Sequence, residues 1–139
     1  MFYKSKDLKL GKDYERLFIH KINEIYDASF ISLSTYSQLD FYCAAKNIYV
    51  EVKNRKNYPS WAVNPLMIGE NKIKFGREKL ALGSEVHFYW RLKDGLYRYK
   101  LKNKDEKGMW CDMGGRCDRG RDERKKVYYI CLRLMDKIN

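Results

Sequence analysis

Asp40 and, eleven positions later, the triplet Glu51-Val52-Lys53 are the residues whose types and spacing suit catalysis in this chain. They lie in QLDFYCAAKNIYVEVKNRK, which reads as two short strands around a turn at Ala45-Lys46-Asn47, with Ile48 to Lys53 running back as the second strand. Side chains alternate across a strand, so Tyr49, Glu51 and Lys53 share one face while Ile48, Val50 and Val52 share the other. A charged pair backed by three β-branched residues describes a site carried on a core strand. Two carboxylates brought together across a hairpin can hold a hard divalent cation, and a lysine beside them can orient a water or neutralise a phosphate oxygen. Singly, Asp40 reads equally well as a strand-end residue paired with Lys46, and Glu51 and Lys53 as a solvated strand face. Jointly they carry the equipment of a metal-dependent phosphodiesterase.

The elements that must position these groups follow from hydrophobic period and punctuation. Tyr14, Phe18, Ile22, Ile25 and Tyr26 recur at helical spacing behind Asp13 as N-cap, which predicts a first helix over Asp13 to Tyr26. Glu15 projects from the apolar side of that helix and so needs a partner; a first-turn acid favoured by the helix dipole is the plainer alternative. SFISLSTY predicts a first strand, so that it and the two site strands form an antiparallel meander. Asn54 to Pro65 reads as a loop, and Leu66 to Leu82 as a second helix with Gly69 and Gly76 as weak points and Gly83 as its stop. EVHFYWRL and LYRYKLK read as strands joined by a hairpin turn at Asp94-Gly95. Residues 103–126 read as a charged, mobile basic loop, and VYYICLRLM as a last strand or terminal helix. The fold class is therefore α/β, a mixed sheet flanked by helices in the order α-β-β-β-α-β-β.

A length of 139 residues predicts a single domain over residues 1–139, and 45% hydrophobic residues argue that it folds. The net charge of +11 favours a polyanionic partner, nucleic acid before anionic lipid. No apolar run approaches a membrane span and MFYKSKDLKLGKDY lacks a signal-peptide core, so an intracellular location, in a cytoplasm, a nucleus or a virus- or phage-infected cell, is expected. Cys43, Cys111, Cys117 and Cys131 form no tight framework, and the spacing of Cys111 and Cys117 is too wide for a zinc knuckle. His20 and His87 are too far apart for a histidine metal site, and His87 reads as a structural strand residue.

The element order, with Asp on the second strand and Glu-x-Lys on the third, resembles the PD-(D/E)XK nuclease superfamily. The matching residues are Leu39-Asp40 and Glu51-Val52-Lys53, with Glu15 where many members carry a further acid, and the resemblance covers about Asp13 to Lys102. Leu39 stands where proline is common, the least chemically demanding position of the motif. LDFYCAAKNIYVEVKNR is similar to the corresponding segment of phage junction-resolving endonucleases and archaeal Holliday-junction resolvases. The resemblance implies a restriction-endonuclease-like core and catalytic roles for Glu15, Asp40, Glu51 and Lys53. Mg²⁺ (or Mn²⁺) would be held by Asp40, Glu51, the backbone carbonyl of Val52 and Glu15, with Lys53 positioning the attacking water. Arg55, Lys56, Tyr58 and Trp61 suit backbone contact and base stacking, unless the aromatics pack the loop instead. Lys72 and Lys74 would contact phosphates or simply be solvated, and Arg116, Arg119 and Arg121 belong to a basic cluster that grips substrate or is a solvated loop.

The expected activity is Mg²⁺-dependent endonucleolytic hydrolysis of DNA, branched or junction DNA included, by a homodimer. A non-catalytic nucleic-acid-binding module of the same fold and an RNA endonuclease are the alternatives.

Overall fold

Alternating apolar residues along Ile48 to Arg55 and a near-continuous apolar run along Glu85 to Leu92 put two strands at the centre of the molecule, where both faces are covered. The computed structural model describes residues 16–114 and 125–139. Residues 16–26 form helix α1. There follow β1 (Ile31–Ser32), β2 (Phe41–Cys43), β3 (Ile48–Arg55), α2 (Ser60–Val63), β4 (Leu66–Gly69), α3 (Glu70–Ala81), β5 (Glu85–Leu92), β6 (Gly95–Lys100), β7 (Met109–Gly114), β8 (Lys125–Ile130) and β9 (Asp136–Lys137). A six-stranded sheet runs β1-β2-β3-β5-β6-β9, and a smaller sheet runs β4-β8-β7.

Among the described residues only β3 and β5 pair in parallel within the large sheet; Glu51 lies opposite Phe88 and Val50 opposite His87. A parallel pair needs a crossover, here supplied by α2, β4 and α3. One face of the sheet buries Phe41, Val50, Val52 and Tyr89 against Phe18 and Ile22 of α1. The other buries Val86, Phe88 and Trp90 against Ile73 of α3 and against Leu66, Ile68 and Ile130 of the smaller sheet. Each such side chain contributes about 1.5–3 kcal/mol of hydrophobic stabilisation, so the two layers clamp β3 between them.

The mixed α/β class and the restriction-endonuclease-like core order hold, and so does the β1-β2-β3 meander. Gly83 stops α3 as read from the sequence: at φ +95° its N–H reaches Leu80, and the N–H of Ser84 reaches Lys79, a Schellman closure. Several boundaries differ. Within the stretch read as a loop, β3 runs on to Arg55 and α2 occupies Ser60–Val63, and the β5–β6 turn is Lys93-Asp94, since Leu92 pairs with Gly95. Leu66 to Gly69 is strand β4, and α3 begins only at Glu70, because Leu66 and Ile68 pair with β8 and bury on one side. The first strand keeps only Ile31–Ser32. Met109–Gly114, within the stretch read as charged loop, is β7, and Lys125 and Lys126 already belong to β8. Among the described residues no helix is long and apolar enough to cross a membrane.

Candidate active site

The β2–β3 ladder ends at the Phe41–Val50 pair, while β3 continues to Arg55 against β5 alone. Asp40 sits at that end. Its N–H donates to the Val50 carbonyl (3.1 Å), and its Oδ2 accepts the N–H of Val52 (2.9 Å). The carboxylate is thereby held against the β3 backbone beside Glu51. Backbone N–H and C=O of one strand residue point to the same side, so the Val52 carbonyl also lies on the side where β2 has ended.

Glu51 is 2% exposed, on the sheet face covered by α3. Its Oε2 pairs with Lys72 Nζ at 2.7 Å and, more loosely, with Lys53 Nζ at 3.7 Å. Its Oε1 is buried without a hydrogen-bond partner. A buried carboxylate oxygen left bare is costly, and native structures rarely tolerate one without cause. Burial first, then the neighbouring Asp40 carboxyl, push Glu51 up to about 8, against the downward pull of Lys72 and Lys53. Burial likewise pushes the Lys53 ammonium below the ordinary lysine range; Glu51 opposes that shift, while Lys72 and Arg55 add to it.

Lys72 comes from the first turn of α3, and its Nζ also donates to the Gln38 carbonyl at 2.6 Å. Asn71 Nδ2 donates to Gln38 Oε1 at 2.8 Å, so the start of α3 is tied twice to the segment that leads into Asp40. Gly76, one turn further on, lets the helix lie close to the sheet: a Cβ there would meet Leu101 Cδ2 at 2.6 Å and Val86 Cγ1 at 3.3 Å. The glycine that reads as a weak point in the helix is thus what permits its close approach.

Beyond β3 the chain presents Tyr58 and Trp61, 54% and 82% exposed. Their loop is pinned. Asp94 accepts the N–H and hydroxyl of Ser60 (both 2.7 Å) and the Tyr97 hydroxyl (2.8 Å), and the N–H of Lys93 donates to the Tyr58 carbonyl (2.9 Å). The Ser60 hydroxyl and N–H, then Tyr97, hold Asp94 down at about 2. The aromatics do not pack the loop onto the sheet; they face solvent on a fixed support, with Arg55 and Lys56 also exposed.

The structure thus brings together Asp40, Glu51, Val52 and Lys53 as the hairpin implied, and adds Lys72. Lys72, its side chain 23% exposed, is engaged by Glu51 and the Gln38 carbonyl rather than extended into solvent. Lys74 does face solvent, 71% exposed and paired with Glu70 at 3.3 Å. Glu15, Arg116, Arg119 and Arg121 lie outside the described residues. Among the described residues no three His, Cys, Asp or Glu side chains converge; Asp40 and Glu51 are a pair. Nothing in the sequence marks Lys72 over Lys74. Only the alternation of i and i+2 around a helix, once its buried face is known, separates them.

A family model described as "Phage putative PDDEXK endonuclease" matches residues 5–137. No curated protein and no solved structure matches the chain.

Proposed function

The chain belongs to this phage PDDEXK endonuclease family, and we propose that it is a divalent-metal-dependent endonuclease that hydrolyses phosphodiester bonds in DNA. The observation that carries the reading is the bare, buried Oε1 of Glu51 beside the Asp40 carboxylate. Two hard oxygen donors side by side, one of them buried and bare, suit Mg²⁺ or Mn²⁺, with Asp40, Glu51 and the Val52 carbonyl as the protein ligands and Glu15, outside the described residues, as a proposed fourth. When bound, such a cation eases deprotonation of water and offsets charge gathering on the scissile phosphate.

The chain's own residues supply the remainder. Lys53 stands on the same face of β3 as Glu51, and its partly desolvated ammonium is suited to orient the attacking water and to donate to a phosphate oxygen. Val50 and Val52 close the opposite face, keeping bulk water from reaching the carboxylates from behind. Arg55 and Lys56 lie next in the chain and would meet the phosphate backbone, while Tyr58 and Trp61 offer stacking surfaces on a support that needs no ordering when nucleic acid arrives. Lys74, Arg116, Arg119 and Arg121 add to a charge of +11 that draws in polyanions. The whole of residues 1–139 is read as one nuclease domain.

Branched or junction DNA is the preferred substrate in this reading, because a fixed, exposed Trp61 suits unstacked bases at a branch better than a continuous duplex. Cutting both strands of a duplex needs two sites, which favours a homodimer. The test is incubation with branched, duplex and single-stranded DNA and with RNA, each in Mg²⁺, Mn²⁺ and EDTA. Metal-dependent cleavage of DNA that Asp40→Ala abolishes is expected. Cleavage of RNA alone would move the assignment to an RNA endonuclease, and salt-sensitive binding without any cleavage would move it to a binding module.

A further inference from the structure

We infer that Lys72 is a positioning residue of the nuclease site, one that holds Glu51 by Oε2 so that Oε1 alone is presented to a divalent cation. The inference rests on the metal-dependent reading of Asp40 and Glu51. Its basis is the division of labour between the two oxygens of one carboxylate: Oε2 is engaged by Lys72 Nζ at 2.7 Å, while Oε1 is buried and unpartnered. The ammonium is itself held from a second direction by the Gln38 carbonyl at 2.6 Å. Two short contacts in different directions fix where the nitrogen sits, and through it how the carboxylate is turned.

Lys53 does not duplicate this role. It stands 3.7 Å from the same Oε2 and belongs to the same strand as Glu51, so it cannot brace the carboxylate from across the helix–sheet interface. Lys74 shows what an ordinary lysine of this helix does: it pairs with Glu70 four residues earlier and stays in water. Lys72 instead crosses from α3 to β3 and to the segment entering Asp40, so a single side chain links the three pieces of chain that meet at the site. A buried ion pair contributes little net stability compared with apolar packing of the same volume. Its value here is the orientation it imposes.

Mn²⁺ titrated calorimetrically into the full chain, together with cleavage kinetics at saturating Mn²⁺, separates this from a merely structural strut, using wild type, Lys72→Met, Lys72→Arg and Asp40→Asn. Lys72→Met leaves Glu51 free to turn Oε1 away, so Mn²⁺ binding should weaken by about tenfold even though a positive charge beside the cation is gone. The carboxylate, no longer held, should present the metal poorly, so kcat should fall by about 10- to 100-fold with KM nearly unchanged. Lys72→Arg should restore both values towards wild type. A Lys72→Met protein unchanged in both, one that binds Mn²⁺ more tightly and cuts as well as wild type, or one whose losses match the fraction unfolded in a thermal melt, would overturn the positioning role. Asp40→Asn losing Mn²⁺ while Lys72→Met does not respond would overturn the role of Lys72 and leave the metal site standing. A wild type that binds no Mn²⁺ would overturn the metal reading and this role with it.

Discussion

Glu51 and His87 are both buried polar residues on the central strand pair, yet they face opposite layers and are treated differently. His87, on the α1 side, is fully provided for: Nδ1 meets the Tyr26 hydroxyl, which in turn meets Tyr89 at 2.6 Å, and Nε2 meets Glu85 at 3.2 Å. Glu51, on the α3 side, has one oxygen in an ion pair and the other bare, with a second carboxylate close by. A buried polar group with every partner supplied by its own chain is structural, as the sequence reading of His87 held. A buried carboxylate that keeps one oxygen bare beside a second carboxylate is arranged to take a cation.

The comparison breaks most visibly under mutation. Asp40→Ala or Glu51→Ala should abolish cleavage, by about 10³-fold or more, while thermal unfolding shows the fold retained. His87→Ala should do the reverse, costing about 2–4 kcal/mol of stability by removing a buried ring and one of the two partners of the Tyr26 hydroxyl, with kcat per folded molecule preserved. A His87 variant that unfolds normally yet fails to cut would place that residue in the chemistry and end the distinction.

Titration sharpens it further, because the two groups tilt stability in opposite directions. Burial, with Glu85 opposing, holds His87 down at about 4. The unfolded chain therefore binds more protons than the folded one between about pH 6.5 and 4, and the stability tied to neutral His87 is lost as pH falls through that window. Glu51, pushed up to about 8, does the opposite. The folded chain holds the extra proton between about pH 4.5 and 8, so stability declines as pH rises across it. Urea melts in EDTA should show the acid-side slope vanish in His87→Gln and the alkaline-side slope vanish in Glu51→Gln, each worth about 3–5 kcal/mol over its window. Saturating Mn²⁺ should flatten the Glu51 slope alone.

Gly76→Ala should lift α3 from the sheet at Leu101 and Val86 and carry Lys72 away from Glu51. A loss of about 1–3 kcal/mol in unfolding free energy is expected, with a fall in kcat larger than that loss of folded protein explains. The smallest effect concerns the exposed loop. Trp61→Ala should weaken binding to branched DNA by about 1–3 kcal/mol in a fluorescence titration and leave the melting temperature where it was, since Trp61 buries almost nothing.

The parts of this arrangement that were legible in the sequence are those set by short-range rules. Period-two alternation around Asp40 and Glu51, the presence of a tight hairpin turn at Asp94, one residue earlier than read, and the Gly83 stop all act within a few residues. β4 was not legible, because Leu66 to Gly69 is too short for its period to separate strand from helix, and it runs directly into the helix-forming residues of α3. β7 was masked by the charges and glycines on either side, since its strand character comes from pairing with β8 rather than from its own composition. Lys72 is the instructive case at the site. Its position depends on how closely α3 crosses the sheet, a property of Gly76, Val86 and Leu101 together, and no window of sequence contains all three.

The central claim is that Asp40 and Glu51 form one cation site. Anomalous diffraction at the manganese edge from crystals grown in Mn²⁺ tests it directly: the account requires a peak bonded to Glu51 Oε1 and an Asp40 oxygen. Manganese bound elsewhere with those two carboxylates bare would contradict it.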